Sequence, residues 1–275
     1  MKLKKIINKI EIIKSGHFTR YFKNIEKYDY YKFINKLKNE DFILDIITKI
    51  ANGTVIVLSD TLETEIIENA KIKLNNYSSD REQINPKIID GCKNGYYLSK
   101  NLSGNGYKTF DRSFYFFAWN NDDLNIYDKI YKLYQPLKIL NGLSFADYQN
   151  NIPSDGLIER LHVIHYPPGG GLISKHYDPI NVSIVNFGLY GTQFGIDYSD
   201  GGFYVFSNNE TKVNIDKDIK KTDIVLFFPG MIHGVDPVLV KHQLNLNSSS
   251  GRWFFNINII ESHHIKNRQY TQALN

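Results

Sequence analysis

From residue 157 to residue 260 the chain is written in short apolar runs punctuated by glycine, proline and asparagine turns, with no helical periodicity between them. Leu161-His162-Val163-Ile164-His165-Tyr166 reads as a strand, and Pro167-Pro168-Gly169-Gly170-Gly171 as the turn that ends it. Asn181 to Leu189 predicts another strand, Asp200-Gly201-Gly202 a turn and Phe203 to Phe206 a short strand. Ile224 to Phe228 is a continuous apolar run closed by Pro229-Gly230, and Arg252 to Ile260 reads as a long last strand. Many short strands without intervening helices can bury their apolar faces only by closing on one another, as a sandwich or a jelly roll.

Into this pattern the sequence sets His176-Tyr177-Asp178 and, just beyond the Ile224 run, His233. On a strand, residues two apart project from the same face, so His176 and Asp178 can grip one ion together while His233 arrives from elsewhere. Two imidazoles and one carboxylate fill one triangular face of an octahedron and leave three positions open, the arrangement of non-haem Fe(II) oxygenases. A closed structural zinc site would want four protein ligands, usually including cysteines, and Cys92 is the only cysteine in the chain.

The order and spacing of these parts resemble the Fe(II)/2-oxoglutarate-dependent oxygenases, particularly their prolyl-hydroxylase-like and phytanoyl-dioxygenase-like branches. The resemblance covers roughly residues 157 to 260. It rests on the strand ending in Tyr166, the glycine turn, His176-x-Asp178, Gly201-Gly202-Phe203, the Asp223 strand, His233 through Val238, and Gly251-Arg252-Trp253. It implies an α+β fold, a double-stranded β-helix (jelly roll) with helices packed outside the major sheet. It also implies Fe(II) held by His176, Asp178 and His233, with 2-oxoglutarate as co-substrate. Arg252 would pair with the distal carboxylate of 2-oxoglutarate, and Tyr166 would donate a hydrogen bond to it. In the family a glycine in place of Asp178 would open a halide site, so the aspartate implies hydroxylation or a related oxidation. One departure is the 19-residue interval from His233 to Arg252, longer than the family commonly has, with the polar stretch from Lys241 to Ser250 as a loop extension. If Arg252 were not the anchor, Lys241 or Arg268 would be the substitutes.

Alternation supports Arg252 without reference to any family. One face of its strand carries Arg252, Phe254, Asn256 and Asn258, and the other Trp253, Phe255, Ile257 and Ile259. The apolar face is expected against outer helices and the mixed face inside the barrel. A buried guanidinium there needs an anion, which a dicarboxylate ligand would provide. On the earlier strand Arg160, His162, Ile164 and Tyr166 share a face, so His162 looks inward either as a satisfied core histidine or as a co-substrate contact, and Asn186 stands in the same position. The N-terminal half and the loop from Tyr190 to Ser199, with Tyr190, Gln193, Phe194 and Tyr198, are expected to form a substrate wall together with Asn256. His165, His242, His263 and His264 are assigned to structure or surface.

Residues 1 to 155 read as a mainly helical region that contributes outer strands, and 156 to 275 as the jelly-roll catalytic core, the two forming one integrated domain. Helical patterns cover Tyr21 to Ile50, Thr61 to Leu74 and Leu124 to Leu143, with strands at Thr54 to Leu58 and Arg112 to Trp119. Asp60 followed by Glu63 reads as a capping box, and Asn75-Asn76 as the end of that helix. The chain has 33 basic and 29 acidic residues, a balance that argues against a nucleic-acid partner. The excess gathers near the start, where Lys2, Lys4, Lys5, Lys9, Lys14 and Arg20 read as a solvated helix face. Lys9 and Glu11 interrupt the early isoleucines, so there is no signal core, and no later segment is long enough to span a membrane. A cytoplasmic enzyme is expected, whose reducing surroundings would keep iron ferrous, acting on a small-molecule substrate with O2. The residues leave the oligomeric state and the substrate open.

Two other substrate and function classes stay open. A peptidyl-prolyl or other protein-residue hydroxylase would share the same motifs. A cupin-like metal enzyme or a non-catalytic binding module would keep the fold without 2-oxoglutarate. Nucleic-acid demethylases of the superfamily carry a second arginine six residues beyond the first, where this chain has Asn258.

Overall fold

The longest pairing in the protein joins its two longest strands, and the elements that carry the candidate ligands are built around it. In the computed structural model, which describes every residue except Met1, Asp80, Arg81, Asn85, Gly104, Asn105, Asp123, Asn247 and Asn275, thirteen strands form one mixed, mostly antiparallel sheet. In chain order they are β1 (Asn24–Asp29), β2 (Thr54–Ser59), β3 (Gly95–Asn101), β4 (Thr109–Phe117), β5 (Leu157–Tyr166), β6 (Gly171–Tyr177) and β7 (Asn186–Tyr190). Then follow β8 (Gly202–Phe206), β9 (Lys212–Asn214), β10 (Ile224–Phe227), β11 (His233–Val238), β12 (Arg252–Glu261) and β13 (Gln272–Ala273). The α-helices are α1 (Lys2–Lys14), α2 (Tyr30–Lys36), α3 (Glu40–Ala51), α4 (Thr64–Ser79) and α5 (Tyr127–Tyr134).

β5 and β12 pair antiparallel from Arg252 opposite Tyr166 to Glu261 opposite Leu157. From them the sheet runs one way through β7 and β10 to β2 and β1, and the other way through β4 to β6, β11, β8 and β9. The four strands β10-β7-β12-β5 and, from the other array, β6, β11 and β8 contribute side chains to one shared cavity, so the two arrays face each other across it. β4 joins them, pairing with β5 along most of its length and with β6 at Thr109 and Phe110.

Strand parity then sorts the side chains. Trp253, Phe255 and Ile257 are buried on the face of β12 turned away from the cavity, while Arg252, Phe254, Asn256 and Asn258 line the cavity. Ile6, Ile10 and Ile13 of α1 are buried and Lys4 and Lys5 exposed, so the basic face is the solvated side of an amphipathic helix. No helix among the described residues is long and apolar enough to cross a membrane.

Several boundaries differ from those expected. Asn24 to Asp29, expected as helix, is strand β1, because it pairs in parallel register with β2 and extends the sheet. Asp29 instead caps α2, accepting from the Lys32 backbone N–H at 2.8 Å, and Asn39 caps α3 in the same way. Asp60 does not cap α4, which starts at Thr64, since Asp60 has a left-handed φ of 59°. That helix also runs past Asn75-Asn76 to Ser79, where Asn75 Oδ1 and Ser78 Oγ accept from the buried Arg112. The strand expected from Asn181 starts only at Asn186, and Pro136 turns the end of α5 into a 3-10 helix, Gln135–Asn141.

Candidate metal centre

β6 carries His176 near its end and β11 opens with His233, and the two are direct cross-strand partners. Their rings lie 4.2 Å apart, centroid to centroid. Asp178 follows the end of β6, fixed by its own backbone N–H donating to the Pro229 carbonyl at 2.9 Å. One Asp178 oxygen lies 4.0 Å from His176 Nε2 and the other 3.7 Å from His233 Nε2. Ligand atoms from all three residues fall within 4.8 Å of one another, which brings together the three residues singled out by the sequence.

The outer contacts leave the right atoms free. His176 Nδ1 lies 2.7 Å from the Ser174 carbonyl and His233 Nδ1 2.7 Å from the Met231 carbonyl. A carbonyl can only accept, so each Nδ1 carries the proton and each Nε2 keeps its lone pair for a metal. Burial and the neighbouring His176 push His233 down to about 4, which keeps that ring neutral and able to ligate. Asp178 is oriented by Thr271 Oγ1, donating at 2.7 Å, and by Asn186 Nδ2 at 3.4 Å. From the N-terminal part, Arg20 Nη1 donates to the Gly230 carbonyl at 3.0 Å, and its guanidinium stacks 3.8 Å from the Tyr177 ring centroid, bracing both ligand-bearing segments. Neither Thr271 nor Arg20 carries a signal in the sequence, since each reaches the site from far along the chain.

The triad opens into a cavity of about 310 Å³ lined by residues of both strand arrays. Tyr166, Asn186, His162, Tyr190, Arg252 and Asn256 all line it, as do the unexpected Tyr107 and Tyr115. Gln193, Phe194 and Tyr198 do not. Their loop folds back on itself through the Phe194–Tyr198 bridge, and Tyr198 turns into the core to donate to Asp216 at 2.5 Å.

Arg252 is buried, boxed by the rings of Tyr190, Phe254, Tyr166 and Phe203 with centroids at 4.9 to 5.8 Å. Its anion is already in the protein, which corrects the expectation that a ligand must supply it. Asp216 accepts from Arg252 Nε at 2.8 Å and from Nη2 at 3.3 Å. The same carboxylate accepts from Tyr190 Oη at 2.7 Å, from Tyr198 Oη and from the Phe203 backbone N–H at 2.8 Å. Gly202, at φ 103°, makes the approach possible, since a Cβ there would stand 2.5 Å from Asp216 Oδ2. Burial works against the Arg252 charge, and Asp216 more than offsets it, so the guanidinium stays protonated. Among the described residues Nη1 of Arg252 has no hydrogen-bond partner, and neither has the Tyr166 hydroxyl; neither atom is sealed from the cavity. Burial, then the Asp111 charge, raises Tyr166 well above its usual range, which keeps it a proton donor.

Beneath His162 runs a short polar chain. Ser113 Oγ donates to Asp111 at 2.6 Å and lies 2.9 Å from His162 Nε2, while the imidazole stacks on Tyr115. Burial raises the Asp111 carboxyl to about 7. Because the folded chain then holds a proton that the unfolded chain releases near pH 4, this group's stabilisation is complete below that pH and is lost as pH rises through 7. The neutral imidazoles of His162, His165 and His233, each lowered by burial, pull the other way, so the share of Asp111 is read as a difference: from pH 5 to pH 8 the thermal midpoint of the wild type should fall relative to that of Asp111→Asn. A difference that stays constant across that range would remove Asp111 as its source.

No family model and no curated protein matches the sequence. Solved structures with a similar chain path include a Pseudomonas putida prolyl-4-hydroxylase, with a TM-score of 0.49, 12% identity, and coverage of 78% of this chain and 97% of that one. A Trichoplax adhaerens prolyl hydroxylase in complex with a hypoxia inducible factor peptide fragment gives 0.46 and 16%, covering 81% and 90%. A full-length Neurospora crassa thymine-7-hydroxylase in complex with alpha-KG gives 0.49 and 13%, covering 86% and 85%. The likeness is one of chain path, and the chemistry of the site is argued from its own residues.

Proposed function

We propose that this protein is an Fe(II)- and 2-oxoglutarate-dependent oxygenase on a double-stranded β-helix, hydroxylating a C–H bond of a small molecule. The observation that carries the proposal is the meeting of His176, Asp178 and His233, with both Nε2 atoms free, at the edge of a cavity that also holds Arg252 and Tyr166. Three ligands from two strand ends leave half of an octahedron for other donors, which suits ferrous iron better than a closed zinc site.

With iron and 2-oxoglutarate bound, the pair supplies an oxidant that turns R–H and O2 into R–OH while 2-oxoglutarate becomes succinate and CO2. The chain's own part is placement. His176, Asp178 and His233 would hold the ion, and the two histidine–carbonyl hydrogen bonds would fix its orientation. Arg252 Nη1 and the Tyr166 hydroxyl would hold the distal carboxylate by hydrogen bonds. Because Asp216 already neutralises the guanidinium, this anchor acts through directed N–H and O–H donors more than through net charge. Phe203, Phe227 and Phe254 give the cavity an apolar lining that keeps bulk water off the reacting centre.

The dimensions of the cavity favour a small molecule over a folded protein partner, and a reducing compartment such as the cytoplasm would keep the iron ferrous. The test is succinate formation from 2-oxoglutarate with pooled metabolites and, separately, with proline-containing peptides. Iron- and O2-dependent succinate stimulated by the metabolite pool is expected. Stimulation by peptides alone would move the assignment to a protein-residue hydroxylase, and no succinate under any condition would sink it.

A further inference from the structure

At the far end of the mixed face of β5 and β12 the strand register places Asn258 directly opposite Arg160 and Asn256 opposite His162. The Arg160 guanidinium lies over the Tyr115 ring, 4.7 Å from its centroid. Its Nε is shut off from solvent with no hydrogen-bond partner, and the same holds for Nε of Arg268, which comes over from the C-terminal segment. Both arginines line a second cavity of about 250 Å³, which shares Arg160, Asn256, Asn258 and Asp178 with the first. Burial lowers the pKa of Arg160, Tyr115 opposes the shift, and the like charge of Arg268 adds to it.

Both side chains are half-buried with their Nε atoms sealed off, and two guanidinium groups sharing one cavity call for an anion between them, because a charged donor taken from water without a partner is costly. Among the described residues neither lies within ion-pair distance of an acid. Glu261, which lines the same cavity, is occupied by Asn181 Nδ2 at 2.9 Å and the Gln269 backbone N–H at 2.8 Å. The amide oxygens of Asn256 and Asn258 are buried without donors. Turned about its last bond, either amide would present its N–H2 group to the same space.

We propose that Arg160 and Arg268, with Asn256 and Asn258, form an anion subsite for the carboxylate or phosphate group of the substrate, so that the substrate is a small organic acid. This deepens the oxygenase reading and rests on it for the word substrate, while the anion site itself stands on geometry alone. The subsite is separate from the cofactor anchor, whose guanidinium has its own carboxylate in Asp216. A substrate gripped here by its charged end would extend its C–H groups along the shared wall of Asn256 and Asn258 towards Asp178 and the metal.

The test titrates the metal-free protein with acetate, with inorganic phosphate and with neutral acetamide, by calorimetry. Saturable binding of acetate or phosphate but not acetamide is expected, and the tighter of the two identifies the anion. Arg160→Met and Arg268→Met should each weaken it by about ten- to hundredfold, the range for losing a charge-assisted hydrogen bond. In the same variants the 2-oxoglutarate affinity of the iron-loaded protein, read from its visible absorption, should be unchanged. Should Arg160→Met fail to fold, Arg268→Met decides the matter, since that side chain lies on a terminal segment outside the strand pairs. Absence of anion binding in the wild type, or binding of unchanged affinity and stoichiometry in both variants, overturns the subsite. Anion binding lost in the variants, in a protein that never binds 2-oxoglutarate, would keep the subsite and remove the oxygenase.

Discussion

Asp216→Ala should be the most destabilising single change near the site, by about 3–5 kcal/mol, the range for removing one partner of a buried ion pair. The carboxylate is wholly buried and gathers five donors, from Arg252 Nε and Nη2, Tyr190 Oη, Tyr198 Oη and the Phe203 backbone. These tie β12, the end of β7, the loop after it and β8 to one short 3-10 turn, Asp216–Asp218. Truncation strands a guanidinium, two phenols and a backbone N–H at once. For a chain of this size roughly 2–4 °C of melting temperature accompanies each kcal/mol, so a fall of roughly 10 °C is expected. Asp218→Ala, exposed in the same turn, should stay within about 0.5 kcal/mol. Equal melting temperatures for Asp216→Ala and the wild type would mean that Arg252 has no need of this partner.

His233→Ala should abolish tight iron binding while leaving the fold intact. Changing a group that merely orients a ligand commonly weakens metal affinity by 10- to 100-fold, so losing one of three ligands should weaken it by more than about a hundredfold. The side chain is buried beside Phe203 and Phe227, and its replacement leaves a small apolar gap without an orphaned charge, so circular dichroism should be little altered. Equilibrium dialysis against Fe(II) under anaerobic conditions reads the difference. Stoichiometric binding in the variant would place the ion elsewhere.

Much of this arrangement is legible in the residues because it depends on local rules. Parity on β5 and β12 places Tyr166, Arg252, Asn256 and Asn258 on the cavity face, and i, i+2 spacing puts His176 and Asp178 together. Glycine and proline turns mark where the core strands end. What cannot be read is set by contacts between distant segments. Asp216 sits in a polar, lysine-rich stretch, and nothing nearby indicates that Arg252 will fold onto it. The general tendency of loops at barrel mouths puts Tyr198 in a cavity wall, whereas its hydroxyl is drawn inward by that same buried carboxylate. Strand β1 carries too little alternation to separate it from the helix that follows, and only its parallel pairing with β2 decides the matter. Thr271 reaches Asp178 because the last residues return to pair with β6, a contact between positions 93 residues apart.

The measurement that bears most directly on the account is an anaerobic titration of the protein with Fe(II) and then 2-oxoglutarate, followed by visible absorption. If the ion sits on His176, Asp178 and His233 with open positions facing Arg252 and Tyr166, a weak metal-to-ligand charge-transfer band should grow in and saturate at one equivalent, and His233→Ala should abolish it. A wild-type protein that binds Fe(II) yet stays colourless at saturating 2-oxoglutarate would contradict the account.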